Sequence, residues 1–147
     1  MFVVDTNVLV YAADTSALEH DRCRALLTKW REDNAAWFLT WGICYEFLRV
    51  VTHPRILRRP WTSEAASGFL EAVWRSRSVG FLVPTDRHRA VLHDVTREVP
   101  AIAGNLWHDA ETASLMREHG IRRICTRDTD FHRFSFVEVI DPVNAEP

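Results

Sequence analysis

Short apolar runs alternate with longer amphipathic segments along the chain, and this alternation constrains the fold more than any other feature. Apolar runs of strand length occupy residues 1–4, 36–40, 79–83, 121–125 and 136–140. Helical periodicity marks segments between them, at about 19–33, 43–52, 63–73, 85–99 and 106–119. The sequence therefore predicts an α/β fold, a three-layer α/β/α sandwich whose central sheet has about five mainly parallel strands.

The length and the cysteine pattern limit the class of protein. A chain of 147 residues fits one domain over residues 1–147, and it has no linker, repeat or low-complexity stretch. No apolar run approaches the roughly 18 residues of a membrane span, and Asp5 interrupts the first run too early for a signal peptide. Cys23, Cys44 and Cys125 are far apart in apolar segments, so we expect buried thiols and a cytoplasmic protein.

The charged residues are unusual in kind rather than in number. The formal net charge is −2, which does not by itself suggest a nucleic-acid partner. Lys29 is the sole lysine, and every other formal cation is an arginine, whose planar guanidinium matches phosphate oxygens. A GC-rich genome would give the same bias. Lys29 lies outside any Gly-x-x-x-x-Gly-Lys loop and the five glycines are isolated, which excludes a P-loop and a dinucleotide-binding motif.

Acidic residues follow two of the predicted strands. Asp5 comes directly after residues 1–4, and Asp128 and Asp130 come just after residues 121–125. The carboxyl ends of parallel strands share one edge of the sheet, where α/β proteins bind their ligands. Each of these acids can instead be a helix cap or a turn former. If the segment that holds Asp128 and Asp130 stays extended, the two side chains point to opposite sides.

Further acids lie on the predicted helices. Glu46 shares the polar face of its helix with Arg49, so periodicity alone favours a solvated ion pair between them. Asp109 lies near a helix N-terminus on the inward face, where a lone carboxylate would cost several kcal/mol. A metal ion or a hydrogen-bonded site is the natural partner for Asp109. Glu111 and Glu118 fall on the polar side of the same helix.

Four short motifs resemble those of PIN-domain proteins in their order and spacing. They are VDTNVL at 4–9, YEFL at 45–48, HDA at 108–110 and TRDTDF at 126–131. The run FLRVVTHPR at 47–55 is similar to a variant found among mycobacterial members. Over residues 1 to about 142, the chain therefore resembles the VapC-type toxins of bacterial toxin–antitoxin pairs.

This resemblance implies a Mg²⁺- or Mn²⁺-dependent endoribonuclease that cleaves structured RNA, such as tRNA or rRNA, with a metal-activated water. It implies an acidic site of Asp5, Glu46, Asp109 and Asp128, with Asp130 in reserve for Asp128. We expect Asp5 and Asp109 to bind the metal most directly and the others to complete its shell. A VapB-type antitoxin is the implied protein partner, and a homodimer is the expected assembly.

Polar neighbours of these acids are candidates for supporting roles. Thr126 lies two residues before Asp128 and can share its side of the chain, where it would hydrogen-bond a ligand or a phosphate. Thr6 and Asn7 follow Asp5 and can do the same, although a helix cap is the more natural role for Thr6.

An RNA substrate also needs a surface that binds phosphates. The candidates are Arg49, Arg55, Arg58 and Arg59. Trp61 lies close to three of them and could stack on a base, although a solvated loop explains the same residues. Trp41 and Trp107 are expected to be core or groove aromatics.

Other functions share part of this pattern. A phosphohydrolase of the haloacid dehalogenase type needs a second aspartate two residues after the first, where this chain has Asn7, and a receiver domain needs a lysine late in the sheet. A DNA-directed relative of the flap-endonuclease class would use the same carboxylates but is usually longer. A catalytically weak PIN-fold binding module is the non-enzymatic alternative.

Overall fold

The computed structural model describes residues 1–144. Its strands are β1 (Val3–Val4), β2 (Trp37–Thr40), β3 (Val79–Leu82), β4 (Arg123–Cys125) and β5 (Glu138–Ile140). Its α-helices are α1 (Thr6–Ala13), α2 (His20–Glu32), α3 (Trp41–Thr52), α4 (Ser63–Trp74), α5 (His88–Glu98) and α6 (Leu106–Glu118). A short 3₁₀ helix, Thr129–Arg133, follows β4. Every predicted strand and helix forms, and α1 adds a helix where the sequence indicated only a cap.

The five strands of the described chain form one parallel sheet in the order β3-β2-β1-β4-β5. Strand β1 lies at its centre, where Val3 pairs with Phe38 of β2 and Val4 pairs with Cys125 of β4. Val3 and Val4 are both completely buried, as expected for a central strand that is covered on both faces. The predicted parallel sheet is confirmed.

Helices cover both faces of this sheet. Helices α1 to α4 pack with one another, and α5 packs with α6. The connections from β1 to β3 run along the sheet in one direction, whereas the connection from β3 to β4 runs back past β1. Because such crossovers are right-handed, the reversal puts the two helix groups on opposite faces. The three-layer arrangement is therefore confirmed.

The same reversal fixes where a ligand can bind. Strand β1 continues to β2 on one side, and β4, which arrives from β3, pairs on its other side. At such a switch point the connections diverge and leave a crevice beyond the carboxyl ends of the two strands. Asp5 follows β1 and Asp128 lies just beyond β4, so both stand at this crevice.

The structure corrects the expectation for Glu118, which is buried rather than on a polar surface. Its side chain is 0% exposed. Its carboxylate accepts hydrogen bonds from the backbone N–H and the hydroxyl of Thr85, at 3.3 and 3.2 Å, and lies 3.3 Å from Nδ1 of His88. The connection between β3 and α5 thus covers the end of α6, which helical periodicity could not reveal.

Trp41 and Trp107, which were expected to be core or groove aromatics, both lie outside the core, and Trp107 lines a surface groove. Trp41 is 47% exposed and Trp107 is 48% exposed. The three cysteines are buried and free, as predicted, and burial raises the pKa of the Cys23 and Cys44 thiols to about 11. Among the described residues, no helix is both long and apolar enough to cross a bilayer.

Candidate functional site

An acidic cleft of about 380 Å³ opens at the switch point of the sheet. It is formed by one side of α1, the first turn of α6, the second half of α3 and the segment after β4. Its lining residues are Asp5, Thr6, Asn7, Val10, Tyr11, Glu46, Val50, Asn105, His108, Asp109, Asp128 and Asp130. The fold therefore brings all five candidate acids to one place, although they are spread from residue 5 to residue 130 of the chain.

Asp5 is the most fixed of these acids, and it also caps α1. One carboxylate oxygen accepts the Thr6 backbone N–H at 2.7 Å. The other accepts the Thr126 hydroxyl at 2.6 Å and the Asn7 side-chain amide at 2.7 Å. Asp5 therefore serves as a helix cap and faces the cleft at once, so the expected cap at Thr6 is wrong. A carboxylate has about four lone-pair positions, so three donors leave one position for a ligand.

Thr126 holds the two sides of the cleft together. It is completely buried, and its hydroxyl oxygen accepts the Asn7 amide at 2.7 Å and the Asp128 backbone N–H at 2.9 Å. The same hydroxyl donates to Asp5. One side chain thus sets the positions of residues on α1 and after β4. A group in this place orients ligands and does not itself need to touch a substrate.

Glu46 faces both the cleft and the solvent. Its Oε2 accepts the Thr6 hydroxyl at 3.1 Å, and its Oε1 accepts Nη2 of Arg49 at 3.3 Å. The ion pair that periodicity predicted is therefore present. The ion pair does not remove Glu46 from the cleft, because Arg49 contacts one carboxylate oxygen and Thr6 contacts the other.

The segment after β4 does not stay extended, so the condition under which the side chains of Asp128 and Asp130 would point to opposite sides is not met. Asp128 caps the 3₁₀ helix by accepting the Asp130 backbone N–H at 2.9 Å. This turn folds Asp130 back toward the cleft. Carboxylate oxygens of Asp109, Asp128 and Asp130 lie within 4.8 Å of one another.

Burial and mutual repulsion raise the pKa of two of the acids. Burial, opposed by hydrogen bonds from Thr126 and Thr6, raises the pKa of Asp5 to about 6. Burial and then the negative charges of the other cleft acids, Asp128 first, raise the pKa of Asp109 to about 7. Both carboxyl groups thus hold a proton more tightly than a free aspartate does, because a negative charge in the cleft is costly unless a cation compensates it.

The donor set fits a hard divalent cation. Every acidic group in the cleft offers oxygen, which Mg²⁺ and Mn²⁺ prefer. Because the carboxylate oxygens of Asp109, Asp128 and Asp130 lie within 4.8 Å of one another, a single ion could contact more than one of them.

The arginine candidates divide between two places. Arg49 adjoins the cleft through Glu46. Arg58 and Arg59 line a separate cavity of about 470 Å³ beside the end of α1, and Arg55 lies on the same exposed loop. The ring of Trp61 packs against Phe47 and Phe69, at 6.4 and 5.7 Å between centroids, and is only partly exposed.

Several cleft residues were not singled out from the sequence. Val10, Tyr11 and Val50 form an apolar part of the wall, and Asn105 and His108 line the side formed by α6. The spacing of Asn7 and Tyr11, four residues apart on one helix, was an available signal for Tyr11. Nothing in the local pattern distinguishes the valines from ordinary core residues.

The family model of the PIN domain matches residues 2–137. The chain belongs to the PIN-domain family. Ribonuclease VapC48 of Mycobacterium tuberculosis is 32% identical to it over 138 residues, and the match covers 94% of each chain. The resemblance to VapC proteins is therefore confirmed.

Two solved structures share the architecture of this PIN domain. The crystal structure of Mycobacterium tuberculosis VapC20, described as a sarcin–ricin loop cleaving toxin, has a TM-score of 0.64 at 20% identity and covers 95% of this chain and 98% of that one. VapBC2 from Rickettsia felis, crystallised with a DNA fragment from its promoter, has a TM-score of 0.67 at 15% identity, with 95% and 96% covered. Both likenesses support the fold.

The metal-free PIN domain should lose stability as the pH rises from about 4 to 8. The folded-state pKa values of Asp5 and Asp109, about 6 and about 7, exceed the ordinary value of 3.8, so the folded state holds these protons more tightly than the unfolded state. The stabilisation that these two groups give the folded state is complete below the unfolded-state pKa of 3.8. It is lost as the pH rises through the folded-state pKa values of about 6 and about 7. We expect the Tm in EDTA to be at least about 5 °C higher at pH 5 than at pH 8.

The matched control for this experiment is the Asp5→Asn, Asp109→Asn double variant. It lacks both titrating groups, so its Tm should change much less over the same pH range. Addition of Mg²⁺ at pH 8 should raise the Tm of the parent protein, because the ion binds only the folded state. A parent Tm that stays level or falls toward pH 5 would contradict the assignment of the raised pKa values.

Proposed function

We propose that this protein is the toxin of a toxin–antitoxin pair and acts as a metal-dependent endoribonuclease. The supporting observation is the acidic cleft at the switch point, where Asp109, Asp128 and Asp130 place their carboxylate oxygens within 4.8 Å of one another. Such a cluster is costly to maintain without a cation, and a bound cation can supply both the nucleophile and the charge neutralisation that phosphodiester hydrolysis uses. The relative VapC48 is named a ribonuclease, which supports the same activity here.

Different cleft residues would hold the ion in different ways, some directly and one through a water. Asp5 and Asp109 would bind Mg²⁺ or Mn²⁺ directly from opposite walls, α1 and α6. Asp128 would complete the shell, with Asp130 beside it as the alternative ligand, and Glu46 would act through a water. When bound, the cation would activate a water as the nucleophile and neutralise charge on the scissile phosphate.

Neighbouring polar groups would keep this arrangement in place before the substrate arrives. Thr126 and Asn7 each hydrogen-bond Asp5, so the carboxylate can keep its free lone pair directed at the cleft. Thr6 holds Glu46 on the facing helix. Supporting bonds of this kind matter because a ligand that rotates away loses both the metal and the substrate geometry.

Structured RNA, either tRNA or rRNA, is the substrate class that we propose. VapC20 of Mycobacterium tuberculosis, which shares the fold, is a sarcin–ricin loop cleaving toxin, and this activity supports the same substrate class here. Arg49 is placed to contact a phosphate beside the cleft, whereas Arg55, Arg58 and Arg59 would contact a more distant part of a folded RNA. Arginine suits this role because its guanidinium binds phosphate oxygens in pairs.

A VapB-type antitoxin is the proposed protein partner, and a homodimer is the proposed assembly of the free toxin. The Rickettsia felis structure contains a VapBC pair, which supports an antitoxin for this chain as well. We place the protein in the cytoplasm, where RNA is available and where buried thiols such as those of Cys23 and Cys44 stay reduced.

Cleavage of RNA by the purified protein should require a divalent cation. We expect cleavage of tRNA or rRNA in Mg²⁺ or Mn²⁺, and a fall of at least about a hundredfold in EDTA, because the cation supplies several kcal/mol of stabilisation to the transition state. Gel analysis of RNA fragments measures the rate, and readdition of the metal should restore it. Equal cleavage with and without EDTA would rule out the proposed mechanism.

The RNA target can be found in cells. Short induction of the parent protein, followed by mapping of RNA ends, should reveal new ends that are missing after induction of Asp5→Asn. Toxicity that persists in Asp5→Asn and in Asp109→Ala would instead indicate a binding module that acts without catalysis.

A further inference from the structure

The edge of the sheet that holds the acidic cleft also holds an aromatic surface. All strands are parallel, so the residues that follow them meet at one edge. Asp5 follows β1, whereas Trp41 follows β2 and Val83 follows β3. Along this edge, acids therefore occupy the β1 and β4 side, and exposed apolar groups occupy the β2 and β3 side.

The exposed face of α3 continues this surface. Trp41, Tyr45 and Arg49 are four residues apart, so they form one row along the helix. Trp41 is 47% exposed and Tyr45 is 68% exposed, and the Arg49 side chain is 58% exposed. The row spans about 12 Å, since an α-helix rises 1.5 Å per residue.

The ring of Trp41 is fixed by packing against two aromatic rings on its buried side. Its ring stacks on Phe81 at 4.7 Å between centroids, with an interplanar angle of 28°, and meets Trp74 edge-on at 5.6 Å. The Tyr45 ring lies 6.3 Å from Trp41. Two neighbouring aromatic rings, one of them fixed by packing, thus offer apolar surface to the solvent.

The row is continuous with the cleft. Arg49 donates to Glu46, and Glu46 lines the cleft. On the side of α3 that faces α6, the Glu111 carboxylate lies close to Gly42, 3.0 Å from the place where a Cβ would be. The surface therefore passes from aromatic rings through a cation to the carboxylates of the cleft.

We propose that Trp41 and Tyr45 form a stacking platform for bases of single-stranded RNA next to the cleavage site, with Arg49 on the intervening phosphate. This inference rests on the proposed ribonuclease function and adds to it the way in which the substrate is held. Aromatic faces combined with a cation are the usual means of binding single strands without base readout. A second copy of the chain is the competing occupant, because aromatic residues and arginine are also enriched in protein interfaces, and the test below separates the two.

The test is RNA binding by a cleavage-deficient protein, Asp5→Asn in Mg²⁺, measured by fluorescence anisotropy with a single-stranded oligouridylate. Adding Tyr45→Ala to the Asp5→Asn protein should weaken RNA binding about tenfold. Tyr45→Phe in the same protein keeps the ring, so its affinity should stay within about twofold of that of Asp5→Asn alone. A sugar–phosphate strand of the same length without bases should bind equally to the parent and to Tyr45→Ala, because it has nothing to stack.

Trp107→Ala is the matched control, since Trp107 is as exposed as Trp41 but lies beside α5 residues such as Arg89 and His93. It should bind RNA like the parent. Normal RNA binding by Tyr45→Ala would overturn the platform and leave the ribonuclease proposal intact. If sedimentation shows that Tyr45→Ala converts a dimer to a monomer without changing the RNA affinity, the aromatic row is a dimer interface and the platform is likewise overturned. A parent protein that neither binds nor cleaves RNA would overturn both proposals.

Discussion

Replacement of Asp109 by asparagine should reduce RNA cleavage at least about a thousandfold and leave the fold intact. Asp109 projects into the cleft from the first turn of α6, next to Asp128 and Asp130, and we propose it as a direct metal ligand. An amide has one oxygen and no charge, so it binds a hard cation far more weakly, and the cation that would neutralise charge on the scissile phosphate is lost. Cleavage assays at saturating Mg²⁺ measure the loss. Asp5→Asn should behave in the same way.

Two observations separate this catalytic effect from damage to the structure. Burial and repulsion raise the pKa of Asp109 to about 7, so a neutral amide in its place should maintain or raise the Tm of the metal-free protein at pH 8. Asp94→Asn is the control, because that side chain is 62% exposed on α5, away from the cleft, and its loss should not affect the rate. Full activity of Asp109→Asn would remove Asp109 from the site.

Replacement of Glu118 by alanine should lower the free energy of unfolding by about 1–3 kcal/mol. The Glu118 side chain is 0% exposed and accepts two hydrogen bonds from Thr85, with His88 also in contact. Alanine would remove these hydrogen bonds and would create a cavity between α6 and the connection from β3 to α5. Urea unfolding at pH 7 measures the change.

Two variants test whether the loss comes from these contacts. Glu118→Gln retains an acceptor oxygen for Thr85 and should cost less than alanine. Glu71→Ala removes a glutamate from the exposed surface of α4 and should change the free energy by no more than about 0.5 kcal/mol. If Glu118→Ala and Glu71→Ala have equal stability, the hydrogen bonds of Glu118 contribute nothing measurable.

Much of the fold could be predicted from local patterns. Strand runs and helical periods are short-range properties, so the segments 36–40 and 63–73 were predicted close to their observed bounds, as β2 and α4. The α1 helix was harder to predict, because Thr6–Ala13 has only eight residues and few polar positions. Right-handed crossovers then make the sandwich almost the only arrangement of these elements.

The acidic site was predictable only in part. Asp5 and Asp128 stand where strands end, and Asp109 points inward on its helix, so local reasoning could select them. Glu46 was different, because its ion pair with Arg49 explains its position on α3 without any site. The family resemblance, and then the hydrogen bond from Thr6, brought Glu46 to the cleft.

The sequence by itself determined the alternating elements, the parallel sheet and the acids that follow β1 and β4, because all of these depend on residues near one another in the chain. Tertiary structure alone decided that Asp130 turns back toward Asp109, that Glu118 is buried, and that Thr126 bonds Asp5 across 121 positions. It also placed the Trp41 row beside the cleft. Burial and hydrogen-bond partners are set by which elements pack together, and no local pattern contains that information.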